Sequence, residues 1–312
     1  MGSLSAKTRI TVFLFIIPIL SFFYSCVTIP SPAPYAEPKP EPTITSNTEK
    51  LNVHFIKMER FGDAILIDLG ETEILIDGGF PNSGVATYIQ KYIDGPLEAM
   101  VISHPHPDHL GGLLDVLVKF EVNQIWLNGD IPGEYPPNHL VLYRKFESLA
   151  NAEGASIYEA RRGQTIDIDI LSFNVLHPDK LFTSKKDPYS MNKNSIVLRL
   201  RYGNISFLFT GDAPKETENE ILRAGLEVQA DILKVGHHAT DWSCSDKFLK
   251  SVKPKVAIYM AGEKQPKRGP KKPHPKTIAT LKKVGAEVYG TTTHGTIIVT
   301  TDGKTYTTGA QK

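Results

Sequence analysis

Residues 99–109 constrain this chain more than any other stretch. A short apolar run, Ala99-Met100-Val101-Ile102-Ser103, feeds without a break into His104-Pro105-His106-Pro107-Asp108-His109. An apolar run of this length reads as a buried strand. Three histidines and one aspartate within six positions must then be accommodated where that strand ends. Neutral imidazole and carboxylate are the usual ligands of zinc and similar divalent ions. A loop after a buried strand lets such side chains converge on one point. His104 and His106 can face one ion, while Asp108 and His109 point differently and can face a second. The two prolines stiffen the loop, and Gly111-Gly112 behind it permits close backbone approach. The competing reading is a solvated polar turn, since short motifs also arise by chance.

The flanking sequence supplies strands on both sides of this loop. Val53–Ile56, Ala64–Ile67 and Glu73–Ile76 read as β-strands separated by Gly62-Asp63 and Gly70-Glu71 turns, and Asp77-Gly78-Gly79 ends the third. Helices are expected over 85–92, 110–120 and 140–153, with a strand over 125–127. The second half repeats the logic, with strands over 172–176, 195–200, 205–209, 232–235, 256–260, 288–289 and 296–300. Helices are expected there over 215–224, 246–252 and 277–284. Strands cluster before helices in each half. This predicts an α/β protein in which two mixed sheets pack together with helices outside, a four-layer αββα sandwich, rather than a doubly wound sheet.

The chain has 312 residues, and residues 1–50 do not belong to that core. Lys7 and Arg9 precede an apolar run, Ile10 to Phe23, that is short for a membrane span and ends at Ser25-Cys26. This pattern predicts an export signal over residues 1–26. The placement of Cys26 resembles that of a bacterial lipoprotein, in which the cysteine becomes the lipidated first residue. The expected location is therefore the bacterial cell envelope, with the membrane reached through a lipid on Cys26. Residues 27–50 are a proline-rich, extended linker, and residues 51–312 form the folded domain. Cys244 is the only other cysteine and reads as a small buried residue. With 35 Lys+Arg against 34 Asp+Glu, global charge names no partner. The local exception is a basic run, Lys264, Lys267, Arg268, Lys271, Lys272 and Lys276, around His274. It reads either as a solvated loop or as a phosphate-attracting rim.

Ser-His-Pro-His-Pro-Asp-His-Leu-Gly-Gly resembles the metal motif of the metallo-β-lactamase superfamily. Four further stretches resemble one branch of it, the hydrolase-like domain of the ComEC/Rec2 DNA-internalisation proteins and their stand-alone relatives. These are Phe61-Gly62-Asp63-Ala64 with Ile76-Asp77-Gly78-Gly79, Asn192-Lys193-Asn194-Ser195 with Thr210-Gly211-Asp212, Lys234-Val235-Gly236-His237-His238, and Lys272-Pro273-His274-Pro275 with Gly295-Thr296-Ile297. The likeness runs from Leu51 to Asp302. It implies that His104, His106, Asp108, His109 and Asp212 are metal ligands, with Asp212 bridging two ions. One of His237 and His238 is the later ligand, and alternation along the preceding strand lets only one of them face the site from it. His177 stands where the wider superfamily completes its first metal site. Asn192 or Asn194 is the alternative. Ala239-Thr240 departs from the branch's usual Gly-Ser.

The resemblance implies metal-assisted hydrolysis, in which two divalent ions, zinc by default and manganese as a compatible choice, generate hydroxide from water at neutral pH. Asp108, Asp212 and His238 are the expected catalytic residues, and Asn194, Lys234 and His274 the expected substrate contacts. The favoured substrate is an anionic phosphodiester, either DNA or a phosphocholine-type ester. Hydrolysis of carboxylic esters, lactones or lactams competes with it, as does a non-catalytic metal-binding surface module. The sequence names neither the natural substrate nor an oligomeric state.

Overall fold

The computed structural model describes residues 49–133, 137–182, 188–262 and 272–311. The expected signal segment and nearly all of the linker lie outside the described residues, as do Lys264, Lys267, Arg268 and Lys271 of the basic run. Among the described residues no helix is long and apolar enough to cross a membrane.

Period-two alternation of apolar residues builds two sheets. β1 (Leu51–Phe55), β2 (Ile65–Leu69), β3 (Thr72–Ile76), β4 (Leu97–Val101), β5 (Val122–Leu127) and β6 (Ser156–Glu159) lie in the first. β7 (Thr165–Ile168), β8 (Leu171–His177), β9 (Val197–Tyr202), β10 (Ile205–Phe209), β11 (Ile232–Lys234), β12 (Val256–Tyr259) and β13 (Glu287–Gly290) form the second. β14 (Thr296–Thr301) and β15 (Tyr306–Gln311) return to the first sheet, whose order is β15-β14-β1-β2-β3-β4-β5-β6. The second runs from β13 to β7 in reverse chain order. β3 to β6 are parallel, as are β10 to β13, and the remaining pairs are antiparallel.

Parallel neighbours need crossovers, and helices supply them. α1 (Val85–Ile89), α2 (Pro107–Leu110), α3 (Leu113–Lys119) and α4 (Pro137–Glu153) serve the first sheet, and α5 (Lys215–Arg223), α6 (Asp246–Val252) and α7 (Pro275–Lys283) the second. α8 (Thr291–His294) is one turn before β14. Val53, Phe55, Ile65, Ile67, Ile74 and Ile76 of the first sheet pack against Phe207, Phe209, Ile232, Val256 and Ile258 of the second. The intervening residues face outward: Leu66 and Leu75 pack under α1, α3 and α4, and Leu208, Leu233 and Ala257 under α5, α6 and α7. The arrangement is therefore helix, sheet, sheet, helix, as the sequence predicts.

Candidate metal centre

Both parallel sets direct the C-terminal ends of their strands at one cleft, the usual place for a ligand in open α/β sheets. β4 delivers the histidine loop. His106 is the N-cap of α2, and Pro107, with its preset φ, starts the helix. Asp108 and His109 thus fall in a first helical turn and turn inward, both buried. Two glycine pairs hold the turn down. A Cβ on Gly112 would lie 2.0 Å from the Gly78 carbonyl oxygen, so the loop after β3 and the start of α3 touch backbone to backbone. The Gly78 N–H donates to the His109 carbonyl at 2.6 Å, and the Gly112 N–H to that of Gly79 at 2.9 Å.

Asp108, His109, Asp212 and His238 each place one ligand atom within 4.8 Å of the others, and all four are buried. His109 Nε2 lies 3.4 Å from Asp212 Oδ1, and His238 Nε2 lies 3.3 Å from both Asp108 Oδ2 and Asp212 Oδ2. None of these approaches is a hydrogen bond of good geometry: His109 Nε2, Asp212 Oδ1 and His238 Nε2 stay unsatisfied among the described residues. Buried polar atoms left so are rare and costly. A divalent cation would satisfy all of them at once, and a set of two imidazoles and two carboxylates suits zinc or manganese. Beside this group, His104 Nε2 and His106 Nδ1 are 2.8 Å apart, close enough to share one proton or one ion.

The ligand histidines are aimed by other buried groups. Asp77 accepts from the Ser103 N–H at 2.7 Å and the Ser103 hydroxyl at 2.6 Å, and its Oδ2 lies 2.8 Å from His109 Nδ1. His238 Nδ1 faces the Met260 carbonyl at 3.0 Å and Asp63 Oδ1 at 3.3 Å. In each case the bond at Nδ1 leaves Nε2 for a metal, the usual division of labour in carboxylate–histidine–metal chains. Lys234, 1% exposed, contacts Asp63 Oδ2, donates to the Gly211 carbonyl at 2.8 Å and stands 4.0 Å from Asp212 Oδ1. Four buried carboxylates, Asp63, Asp77, Asp108 and Asp212, thus share a site with one fully buried lysine. Burial opposes charge on both ligand histidines, but the carboxylates outweigh it. Asp212 and Asp77 raise His109 well above the usual range, and Asp212 with Asp63 lifts His238 to about 9. The site attracts positive charge, which supports the same assignment.

Both members of the His237-His238 pair reach Asp212. As the sequence predicts, only one of the pair, His238, joins the ligand cluster, but a turn rather than strand alternation separates them, because β11 ends at Lys234. His237 (φ 47°), His238 (φ 51°) and Ala239 (φ 61°) form three consecutive left-handed residues, a strained run for side chains with a Cβ. This turn swings His238 into the ligand cluster and sets His237 Nε2 3.7 Å from Asp212 Oδ2 on the cavity side.

Other expected residues are not brought to the cluster. His177 turns away, with Nδ1 2.9 Å from the Ser195 carbonyl and Nε2 3.7 Å from Glu220. Asn194 is fully buried, its amide spent on Asp130 and the backbone of Phe182. His274 caps α7, accepting from the Lys276 N–H. Lys234 contacts Asp63 rather than the cavity. Asn192, His139 and Lys272 line the cavity instead. Asn192 Nδ2 is 3.4 Å from His237 Nε2, and the His139 ring stands 5.5 Å from that of His106.

The cavity over Asp108 and Asp212 has a volume of about 910 Å³. Among the described residues, Arg60, Lys145 and Lys272 stand in its wall as cations, and Asp108 and Asp212 are the carboxylates there. Residues 58–263 match the family model described as Metallo-beta-lactamase superfamily. The chain belongs to the metallo-β-lactamase superfamily. Among its superfamily relatives are ComE operon protein 3 of Bacillus subtilis, 33% identical over 201 residues (64% of this chain, 24% of that protein), and Recombination protein 2 of Haemophilus influenzae, 28% identical over 239 residues (76% and 26%). The chain spans about a quarter of the length of these relatives. A solved structure, the metallo-β-lactamase fold protein YhfI from Bacillus subtilis, shares the fold with a TM-score of 0.53 at 15% identity, over 81% of this chain and all of that one.

Proposed function

We propose that this metallo-β-lactamase superfamily protein is an exported hydrolase of phosphodiesters that works with two divalent ions, zinc by the ligand types. The observation that carries the reading is the charge of the cavity. Among the described residues, every carboxylate lining it belongs to the ligand cluster, and Arg60, Lys145 and Lys272 supply positive charge around it. A phosphodiester carries its negative charge on the reacting group itself and gains from cations beside the ligand cluster; the reacting amide of a lactam is neutral and gains less. The likeness to ComE operon protein 3 and Recombination protein 2 supports the same direction without naming a substrate.

Bound divalent ions would supply Lewis acidity and an activated water at neutral pH. Asp108, His109, Asp212 and His238 would hold one ion, and His104 and His106 would contribute to holding a second. Lys272, with Nζ 3.9 Å from Asp108 Oδ2, is set to meet a non-bridging phosphoryl oxygen. His237 lines the cavity, with Nε2 3.7 Å from Asp212 Oδ2 and 3.4 Å from Asn192 Nδ2, and is placed to contact a bound substrate. Residues 1–26 support export, and Cys26 a lipid anchor. The test compares bis(p-nitrophenyl) phosphate with a chromogenic cephalosporin, each with added zinc or manganese. Release of p-nitrophenolate with little cephalosporin turnover is expected, and the reverse result overturns the reading.

A further inference from the structure

The cavity is cationic in its charges but apolar in most of its wall. Phe61 and Phe80 stand together, ring centroids 5.2 Å apart, and the Trp242 ring lies 5.4 Å from that of His237. α4 adds Val141 and Leu142. Trp242 is 39% exposed and Val141 69% exposed. Single exposed apolar residues need no explanation, but these two border one cavity beside a ligand cluster. The cations do not interrupt the apolar surface. The Arg60 guanidinium lies 3.7 Å over the Phe80 ring, and the Lys272 ammonium 3.9 Å over that of Phe61. Lys272 Nζ thus stands 3.9 Å from Asp108 Oδ2, while Trp242, Val141 and Leu142 give the described wall an apolar side in which Lys145 is the one cation. A volume of about 910 Å³ falls in the range of small-molecule sites.

Resting on the phosphodiesterase reading, we infer that the substrate is a small phosphodiester with one apolar or aromatic ester arm, which lies against Trp242 and Val141. A polyanionic chain would bring further phosphates against the apolar side of the described wall, where Lys145 is the one cation to offset their desolvation. An apolar arm gains where a second phosphate loses. Each methylene it buries is worth about fourfold in binding. Hydrolysis consumes one water. A P–O bond forms to its oxygen, the P–O bond to the leaving group breaks, the leaving oxygen carries one proton away, and the other goes to solvent or stays on the monoester.

The experiment uses the metal-loaded full chain and methyl, butyl and phenyl p-nitrophenyl phosphodiesters, which share one leaving group and differ only in the arm. From methyl to butyl, kcat/KM should rise on the order of tens of fold. The butyl-to-methyl ratio should fall severalfold in Trp242→Ala and in Val141→Ser; the exposure of Val141 makes the second change safe for folding. Equal kcat/KM across the series overturns the inference and leaves the phosphodiesterase reading intact. Faster cleavage of single-stranded DNA, per phosphodiester, than of the butyl ester overturns it too. If no ester is hydrolysed, the phosphodiesterase reading fails, and calorimetry with methylphosphonate and butylphosphonate decides the inference alone. Tighter binding of butylphosphonate supports it, and equal affinity overturns it.

Discussion

Replacing Lys234 with Met tests how the centre is held. Met keeps the length and apolar stem of the side chain and deletes only the charge. In the native protein, Lys234 Nζ contacts Asp63 Oδ2 and donates to the Gly211 carbonyl at 2.8 Å. Asp63 and Lys234 are each 1% exposed, so no water can replace the lost partner. Removing one member of a buried pair costs about 3–5 kcal/mol, and His238, 3.3 Å from Asp63 Oδ1, offsets the lost charge only in part, which places the expected cost toward the lower end. For a domain of this size that is a drop in Tm of roughly 6–20 °C. Urea denaturation of metal-stripped protein reads the change as a shift in midpoint at constant slope. The double variant Lys234→Met/Asp63→Asn should recover more than half of the loss, since no uncompensated carboxylate remains there. Zinc should narrow the gap between Lys234→Met and the native protein by restoring positive charge beside Asp63. A cost below about 1 kcal/mol for Lys234→Met refutes the reasoning, given the usual penalty for a broken buried pair. So does a double variant less stable than the single one.

Two further outcomes are expected. Burial, with Glu98, Asp94 and Asp68 nearby, raises the Glu73 carboxyl to about 7 from an ordinary 4.5. Its contribution to stability is thus fully present at pH below 4.5 and is lost as pH rises through about 7. Glu73→Gln should therefore raise Tm more at pH 8 than at pH 5, and an equal change at both pH values contradicts this. Cys26→Ala should abolish incorporation of radiolabelled palmitate into the protein in cells; unchanged labelling rules out the lipid anchor.

The sandwich was legible because its inner strands are buried on both faces. β2, β3, β10 and β12 carry apolar residues toward the other sheet and toward the helices alike, and such runs stand out. The strands that went unread are β6, β7 and β15, each at an edge of its sheet. β6 is exposed throughout and β15 nearly so, so neither has an apolar rhythm to read. The ligand set was legible where it is local. His104 to His109 share one loop, and Asp212 ends a strand. Asp63 and Asp77 lay inside recognisable stretches, but their role depends on the side chain that each meets across the fold, 175 and 32 positions away, which spacing does not reveal. His139 has no motif at all; only the docking of α4 brings its ring 5.5 Å from that of His106. At 237 and 238 strand alternation does not separate the two side chains; a left-handed turn does, and only His238 joins the cluster.

If the buried histidines and aspartates after β4, β10 and β11 form a centre for two metal ions, elemental analysis of the protein after zinc loading and desalting should find up to two ions per chain. The His106→Ala/Asp108→Ala variant, whose two changes fall on different ions, should lose at least one of them, with circular dichroism showing the fold retained. The same metal content in both proteins would rule out the two-ion centre.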